Sequence, residues 1–387
     1  MATRLAIVTT DIYAMTVLGR GQLEYFRDKG VDLTLVCGGD AGKFAALKAR
    51  SVGRVVRVPL RRKPSLTADL AALILLWWLF VRNRFDAVVC STPKAMLLGS
   101  IAAALALQPN RTAFVRGRAY ENYAGFKRRV YEAFDRVVFA CSHKVIFLSR
   151  SLREAYRDDG LDAGAKGMIV RAGSSNGVDV ERFKQPTAAQ RVGLRERLEM
   201  DPSGFHIVLA ARIAPDKGIA TALDLVDRLA DRMDVHWWFV GGVEDEDLFA
   251  GLKARSSCNV RHVDHTDCLQ DWLGAADLHF MPSRREGFGN VAAEAAATGL
   301  PTFAFDVVGL RDSVKDGVSG KLFTLDDLDV VERAIRTAAD NRVEFRTRFP
   351  EARAWVETTF PQKAIWDEFL ETYLTAGQRQ LPLSDRR

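Results

Sequence analysis

The sequence predicts an α/β protein built from two parallel-sheet domains, and three observations carry that prediction. Short apolar runs alternate with helical stretches through both halves of the chain. The 387 residues, 48% hydrophobic and 27% charged, suffice to fill two cores and do not have the composition of a disordered chain. A polar, proline-bearing stretch at residues 184–190 separates the halves.

Strands are expected at residues 5–9, 31–36, 87–90, 112–115 and 145–148 in the first half. In the second they are expected at 206–211, 235–240, 278–281 and 302–305. The predicted domains are residues 1–184 and 185–387, with 351–375, rich in Trp355, Phe360, Pro361 and Trp366, forming a helix pair that crosses back onto the first domain. Residues 377–387 lack apolar periodicity and are expected to fray.

The most informative stretch is Glu286-Gly287-Phe288-Gly289-Asn290-Val291-Ala292-Ala293-Glu294. It follows an apolar run ending at Pro282, so Glu286 is placed in the loop at the carboxyl end of a strand, where α/β folds bind ligands. A helix is expected from Asn290, stopped by Gly299 and Pro301. Its first amides carry partial positive charge, and the two glycines permit close backbone approach, an arrangement suited to phosphate. Two carboxylates flanking such a turn suit the hydroxyl pairs of a sugar or ribose. Taken alone, each glutamate also fits an ordinary loop or helix-start charge.

A second cluster sharpens the reading. Arg212 and Lys217-Gly218 directly follow the strand expected at 206–211, so a forked guanidinium and a compact ammonium emerge at another strand's carboxyl end. Two cations suit the two phosphates of a diphosphate.

Together, Arg212…Lys217-Gly218 and the E-x₇-E element from Glu286 to Glu294 closely resemble the retaining, nucleotide-sugar-dependent glycosyltransferases of family four. The resemblance extends to residues 308–312 and 315–323, similar to the loop and hairpin that follow the motif in that family. In the first half it extends to 9–24, 91–101 and 176–183, similar to bacterial members that build surface polysaccharides. It implies the GT-B fold, two Rossmann-like parallel-sheet domains facing a cleft. It also implies roles: Glu286 on donor-sugar hydroxyls, Glu294 on the nucleotide ribose, Arg212 and Lys217 on the diphosphate, and the backbone from Gly287 through Phe288, Gly289 and Asn290 to Val291 on sugar and phosphates. Glu286, Arg212 and Lys217 are the catalytic candidates, since charge that grows on the leaving diphosphate is stabilised by fixed cations and helix amides. The donor substrate is a nucleotide diphosphate sugar, the acceptor a glycan or polyprenyl-linked molecule, and no metal or other cofactor is expected.

Two features depart from the family pattern. Where many members carry a histidine near the reacting centre, this chain reads Arg116-Gly117-Arg118-Ala119-Tyr120-Glu121. A guanidinium is no base near neutrality, so Arg116 is expected to bind a phosphate or an acidic acceptor group, with Glu121 the nearest candidate base. The first loop, residues 11–21, is poorer in glycine than the usual donor-contact loop. Gly19 and Arg20 there either touch the donor or mark the start of the first helix.

Metal chemistry has weak support. Asp245-Glu246-Asp247 and Asp327-Leu328-Asp329 match D-x-D but read as turns or helix starts, and His262, His265 and Cys268, spaced i, i+3, i+6, are by themselves a weak zinc signal that loop polarity explains better. The resemblance places residues 262–267 near the nucleotide base. Five scattered cysteines suggest reduced, buried thiols, and a strand begins right after residue 4, so a cytoplasmic location without a secretory leader is expected.

The net charge of +6 is unevenly placed. Arg57, Arg61, Arg62 and Lys63 precede an apolar helix at residues 70–81, with Arg82 and Arg84 behind it. The helix is too short to span a bilayer. Leu70, Leu73, Ile74, Trp77 and Val81 are expected to face the core, leaving Trp78 and Phe80 among the residues for a peripheral contact with an anionic membrane through residues 57–84; burial on all sides is the alternative. No nucleic-acid recognition module is present. Sugar transfer competes with two other readings, a nucleotide-sugar epimerase and a non-catalytic sugar-nucleotide-binding protein; the second is disfavoured because both the glutamate and the cation sets are present.

Overall fold

The computed structural model describes residues 2–19, 21–121 and 123–375. The expectations for Arg20 and for residues 377–387 therefore lie outside the described residues.

The chain divides into two compact units, one of Met1–Asn176 with Lys363–Arg387, the other Gly177–Gln362. The sequence alone predicts the division at 184/185. Residues 177–184 pack with the second unit because Val178 N donates to Phe360 O at 2.9 Å, and the Arg353 guanidinium donates to the Val180 and Phe183 carbonyls at 3.3 and 3.1 Å. The Gln362–Leu374 helix belongs almost wholly to the first unit, where Phe369 tilts against Phe114 with centroids 5.2 Å apart.

The first unit holds a seven-stranded, all-parallel sheet of β1 (Thr3–Asp11), β2 (Val31–Gly38), β3 (Arg54–Arg57), β4 (Ala87–Ser91), β5 (Arg111–Val115), β6 (Lys144–Phe147) and β7 (Gly167–Met168). Its order is β3-β2-β1-β4-β5-β6-β7. The central strands are buried on both faces, as their near-continuous Val, Ile, Leu and Ala content requires.

The second unit repeats the plan with six parallel strands: β8 (Phe205–Ala210), β9 (Val235–Val240), β10 (Val260–Val263), β11 (Leu278–Met281), β12 (Thr302–Phe305) and β13 (Gly320–Phe323), ordered β10-β9-β8-β11-β12-β13. The order reverses between β8 and β11, so these neighbours mark a topological switch point, where open α/β sheets hold ligands. Residues 315–323 form no hairpin. Gly320–Phe323 runs parallel to β12 after a tight turn in which Val318 N donates to Lys315 O at 3.0 Å.

The apolar helix at Leu66–Arg82 corrects the expected packing. Ala72, Leu76 and Phe80 are its buried residues, whereas Leu70, Ile74, Trp78 and Val81 are 60%, 53%, 46% and 50% exposed and Trp77 and Leu75 join them outside. With apolar residues on every face, periodicity could not say which face packs. No helix among the described residues is long and apolar enough to cross a membrane.

Candidate functional site

In the second unit the loops after β8 and β11 meet. Ala214 enters a single 3-10 turn, Pro215–Lys217, and Gly218 takes a left-handed conformation (φ 69°) that starts the Ile219–Arg228 helix. A Cβ at Gly218 would overlap the Pro282 carbonyl oxygen, so only glycine lets the two loops touch there. Arg284 N donates to Asp216 O at 3.0 Å and fastens the second loop to the first.

This contact brings two of the predicted residues together. Lys217 Nζ donates to Glu286 Oε1 at 2.7 Å, with both side chains only about one-seventh exposed (15% and 14%). Asp216 stands 3.4 Å from the same ammonium. Arg212 lies further out; its guanidinium forms an ion pair with Glu244 and comes within 4.0 Å of Asp216.

Beyond Glu286 the loop is anchored from behind. Phe288 is 1% exposed and meets Phe360 edge-on with centroids 5.0 Å apart. Gly289 caps the Asn290–Ala297 helix without a side chain to occupy its first amides. The helix ends as expected: Gly299 N and Leu300 N return to Ala296 O and Ala295 O, both at 3.0 Å, in a Schellman arrangement. Ala292, Ala293, Ala295, Ala296 and Ala297 are buried, and small side chains let the helix lie close to its neighbours.

Glu294 sits on this helix among alanines. Burial pushes its carboxyl up to about 7, opposed by the positive charge of Arg182. Arg182 itself donates to Asp267 O at 2.7 Å and to Gln270 Oε1 at 3.1 Å, which ties the 262–267 segment to the surroundings of Glu294. His262 lies on β10 with Nε2 2.9 Å from Gly241 O.

Three residues here had no signal in the sequence. Glu244 reaches Arg212 through strand pairing, and Arg182 reaches Glu294 across 112 positions of chain. Ser313 places a buried hydroxyl, without a hydrogen-bond partner among the described residues, 2.7 Å from where a Cβ on Gly289 would stand. Ser283 Oγ, in the loop before Arg284, is likewise buried and unpartnered among the described residues.

The acidic D-x-D matches serve as helix caps: Asp245 accepts from Leu248 N at 3.0 Å and Asp327 from Val330 N at 3.3 Å. Among the described residues no three His, Cys, Asp or Glu side chains group as metal ligands. Of the cysteines, Cys37 and Cys90 are buried, and burial pushes each thiol up to about 12; Cys258 and Cys268 are exposed, contrary to the expected burial, because they sit in loop positions flanking β10.

In the first unit, Arg116 follows β5. Its Nε donates to Ser91 Oγ at the end of β4 (2.7 Å), its guanidinium lies over the Phe114 ring (4.3 Å), and burial lowers its pKa to about 10. Among the described residues it has no carboxylate partner. Glu121 is drawn elsewhere: it accepts from Arg118 at 2.5 Å, and Arg118 also donates to Asp159 at 2.9 Å. Gly19 ends a π-helical turn, Ala14–Leu18, and its carbonyl accepts from Leu23 N at 3.2 Å; Gly21 then caps the Gln22–Asp28 helix.

Comparison with known proteins matches both halves. Residues 204–341 fit the family model described as glycosyl transferases group 1, and residues 17–166 fit the glycosyl transferase 4-like domain. The capsular polysaccharide biosynthesis glycosyltransferase CapM of Staphylococcus aureus is 28% identical over 362 residues, covering 92% of this chain and 93% of that one. The UDP-Gal:alpha-D-GlcNAc-diphosphoundecaprenol alpha-1,3-galactosyltransferase of Escherichia coli is 26% identical over 339 residues, covering 83% and 84%. In fold, Anabaena HepE, crystallised with UDP, superposes with a TM-score of 0.76 at 19% identity, over 96% of this chain and 99% of that one.

Proposed function

Because the chain belongs to the glycosyltransferases of family four, we propose that it moves a sugar, with retention of configuration, from a nucleotide diphosphate sugar to a glycan or polyprenyl-linked acceptor in the assembly of a bacterial surface polysaccharide such as capsule, O-antigen or exopolysaccharide. The capsular and diphosphoundecaprenol-dependent relatives support that acceptor class. The observation that carries the reading is the Lys217–Glu286 contact at the β8/β11 switch point, beside a helix start.

In this reading Arg212 and Lys217 hold the diphosphate, and the backbone from Gly287 to Val291 lies along sugar and phosphates. Glu286 accepts from sugar hydroxyls and Glu294 from the ribose. Lys217 links the two recognitions, since one ammonium serves both the phosphate and the carboxylate that reads the sugar. The anomeric carbon–oxygen bond to phosphate breaks, the acceptor oxygen bonds to the same carbon on the same face, and its proton passes to the departing phosphate oxygen. Negative charge growing on that oxygen is met by cations and oriented amides, which act more strongly in the transition state than before it. The reading needs no metal.

Arg116 serves the acceptor. A half-buried guanidinium stacked on Phe114, steadied by Ser91 and lacking a carboxylate neighbour among the described residues, suits an anionic group on that molecule. With Glu121 committed to Arg118, it supplies no base, consistent with a leaving phosphate that takes the proton itself.

The Leu66–Arg82 helix docks the protein peripherally on an anionic membrane. Leu70, Ile74, Trp78 and Val81 form one exposed stripe, Arg82 lies 4.4 Å over the Trp78 ring, and basic residues stand at both ends, a pattern of interfacial helices. A cytoplasmic place at the inner membrane face would bring soluble donor and lipid-linked acceptor together.

The experiment is a screen of UDP- and GDP-sugars for nucleoside diphosphate release in the presence of membrane lipid extract, with R212A and E286A alongside wild type. Unchanged turnover in both variants would remove these roles.

A further inference from the structure

Arg212 is held by a carboxylate that the transfer reaction does not use. Beyond β8 and β9 the two chains stay paired: Ala211 N donates to Val240 O and Ile213 N to Gly242 O, both at 3.0 Å, and Glu244 N and Asp245 N both return to Ile213 O at 3.1 and 3.0 Å. A Cβ on Gly241 would overlap the Ala211 carbonyl oxygen, so the approach depends on glycine at that position. Main-chain pairing therefore fixes residue 244 beside residue 212. Its neighbour Asp245 is turned to the task of capping the Glu246–Ala254 helix, which leaves Glu244 as the carboxylate in direct contact with the guanidinium, Asp216 standing 4.0 Å off.

We propose that Glu244 is an internal competitor for the diphosphate at Arg212, a positioning residue that sets how tightly the donor is held and eases departure of the nucleoside diphosphate. The inference rests on the donor reading above. Both side chains are about half exposed (44% and 49%), so an incoming anion can reach the guanidinium without unfolding anything. A diphosphate carries more charge and more acceptor oxygens than one carboxylate and displaces it, since bidentate guanidinium–phosphate bonding is stronger than a solvent-screened surface pair. When the product leaves, the carboxylate returns to the cation, so departure does not strand an unpaired charge. Lys217 differs, because its carboxylate, Glu286, is itself given to the substrate.

The test compares wild type, E244Q, E244A, R212A and the R212A/E244Q double variant as full-length chains. UDP and GDP are titrated calorimetrically, and donor KM is measured with the sugar nucleotide that turns over. E244Q is expected to tighten binding of the accepted nucleotide and lower donor KM by roughly twofold to fivefold, the range open to an exposed ion pair. E244A repeats the charge removal should the amide variant misfold, and thermal unfolding shows whether each variant is intact. In the R212A background the E244Q effect should vanish, which a merely structural role for Glu244 would not predict. Unchanged or weaker binding in an intact E244Q or E244A, with binding still weakened in R212A, overturns the competitor and leaves the donor reading standing. Full binding by R212A, or no binding of either nucleotide by wild type, overturns the donor reading itself.

Discussion

Lys217 Nζ lies 2.7 Å from Glu286 Oε1 although 69 positions of chain separate the two residues. One comes from the loop after β8, the other from the loop after β11, and they touch because the strands are sheet neighbours. On the proposed roles, losing the ammonium would remove a cation from the diphosphate, and it leaves Glu286, 14% exposed, without this partner. K217A is therefore expected to lower kcat by roughly 100- to 1,000-fold, the usual cost of one transition-state donor. Steady-state release of nucleoside diphosphate measures it, and a fall below tenfold contradicts the role.

Glu294 gives a pH signature. Burial raises its carboxyl to about 7, so the proton is held more tightly in the folded chain than in the unfolded one. Its contribution to stability is complete below the ordinary carboxylate range and is lost as pH rises through about 7. In the proposed ribose role donor binding runs the opposite way, because an ionised carboxylate accepts better from hydroxyls. Donor KM should fall as pH rises through that value, and E294Q should flatten the dependence. A pH–KM profile identical in the two proteins would count against the ribose role.

Gly218 tests the loop contact alone. G218A forces a side chain onto the Pro282 oxygen in a left-handed backbone (φ 69°) and should cost about 1–3 kcal/mol, read as a lowered Tm, with donor KM raised as the Arg284–Asp216 tie loosens. An unaltered Tm would show that the loops do not need this approach.

The proposed membrane contact separates by face. Replacing Leu70, Ile74 and Trp78 by serine should abolish flotation with anionic liposomes while Tm holds, because all three point outward. Phe80, 1% exposed and edge-on to Phe85 at 6.1 Å, belongs to the core, so F80A should cost about 3–5 kcal/mol instead. Flotation undiminished in the triple variant would end the docking idea.

The loop from Glu286 to Glu294 was legible because its signals are local. Strand, glycine turn, helix start and the spacing of Glu286 and Glu294 all fall within two dozen residues, and Gly299 with Pro301 marks the helix end. Glu244, Arg182 and Ser313 were not legible, since each acquires its place from register between distant segments. The Leu66–Arg82 helix misled for a different reason: an apolar residue on every face carries no phase. The edge strands Arg54–Arg57 and Gly320–Phe323 are four residues each, with charged residues among them, too short to alternate.

Phe288 is the one large apolar side chain between Arg284 and Asn290, and it is sunk against Phe360, a residue remote from both glutamates in the sequence. The turn is thereby shaped before any sugar arrives, so little binding free energy is spent on quieting it. Such rigidity narrows the range of sugars that can be accommodated, and it makes position 360, which need never meet a substrate, a place from which selectivity can be altered.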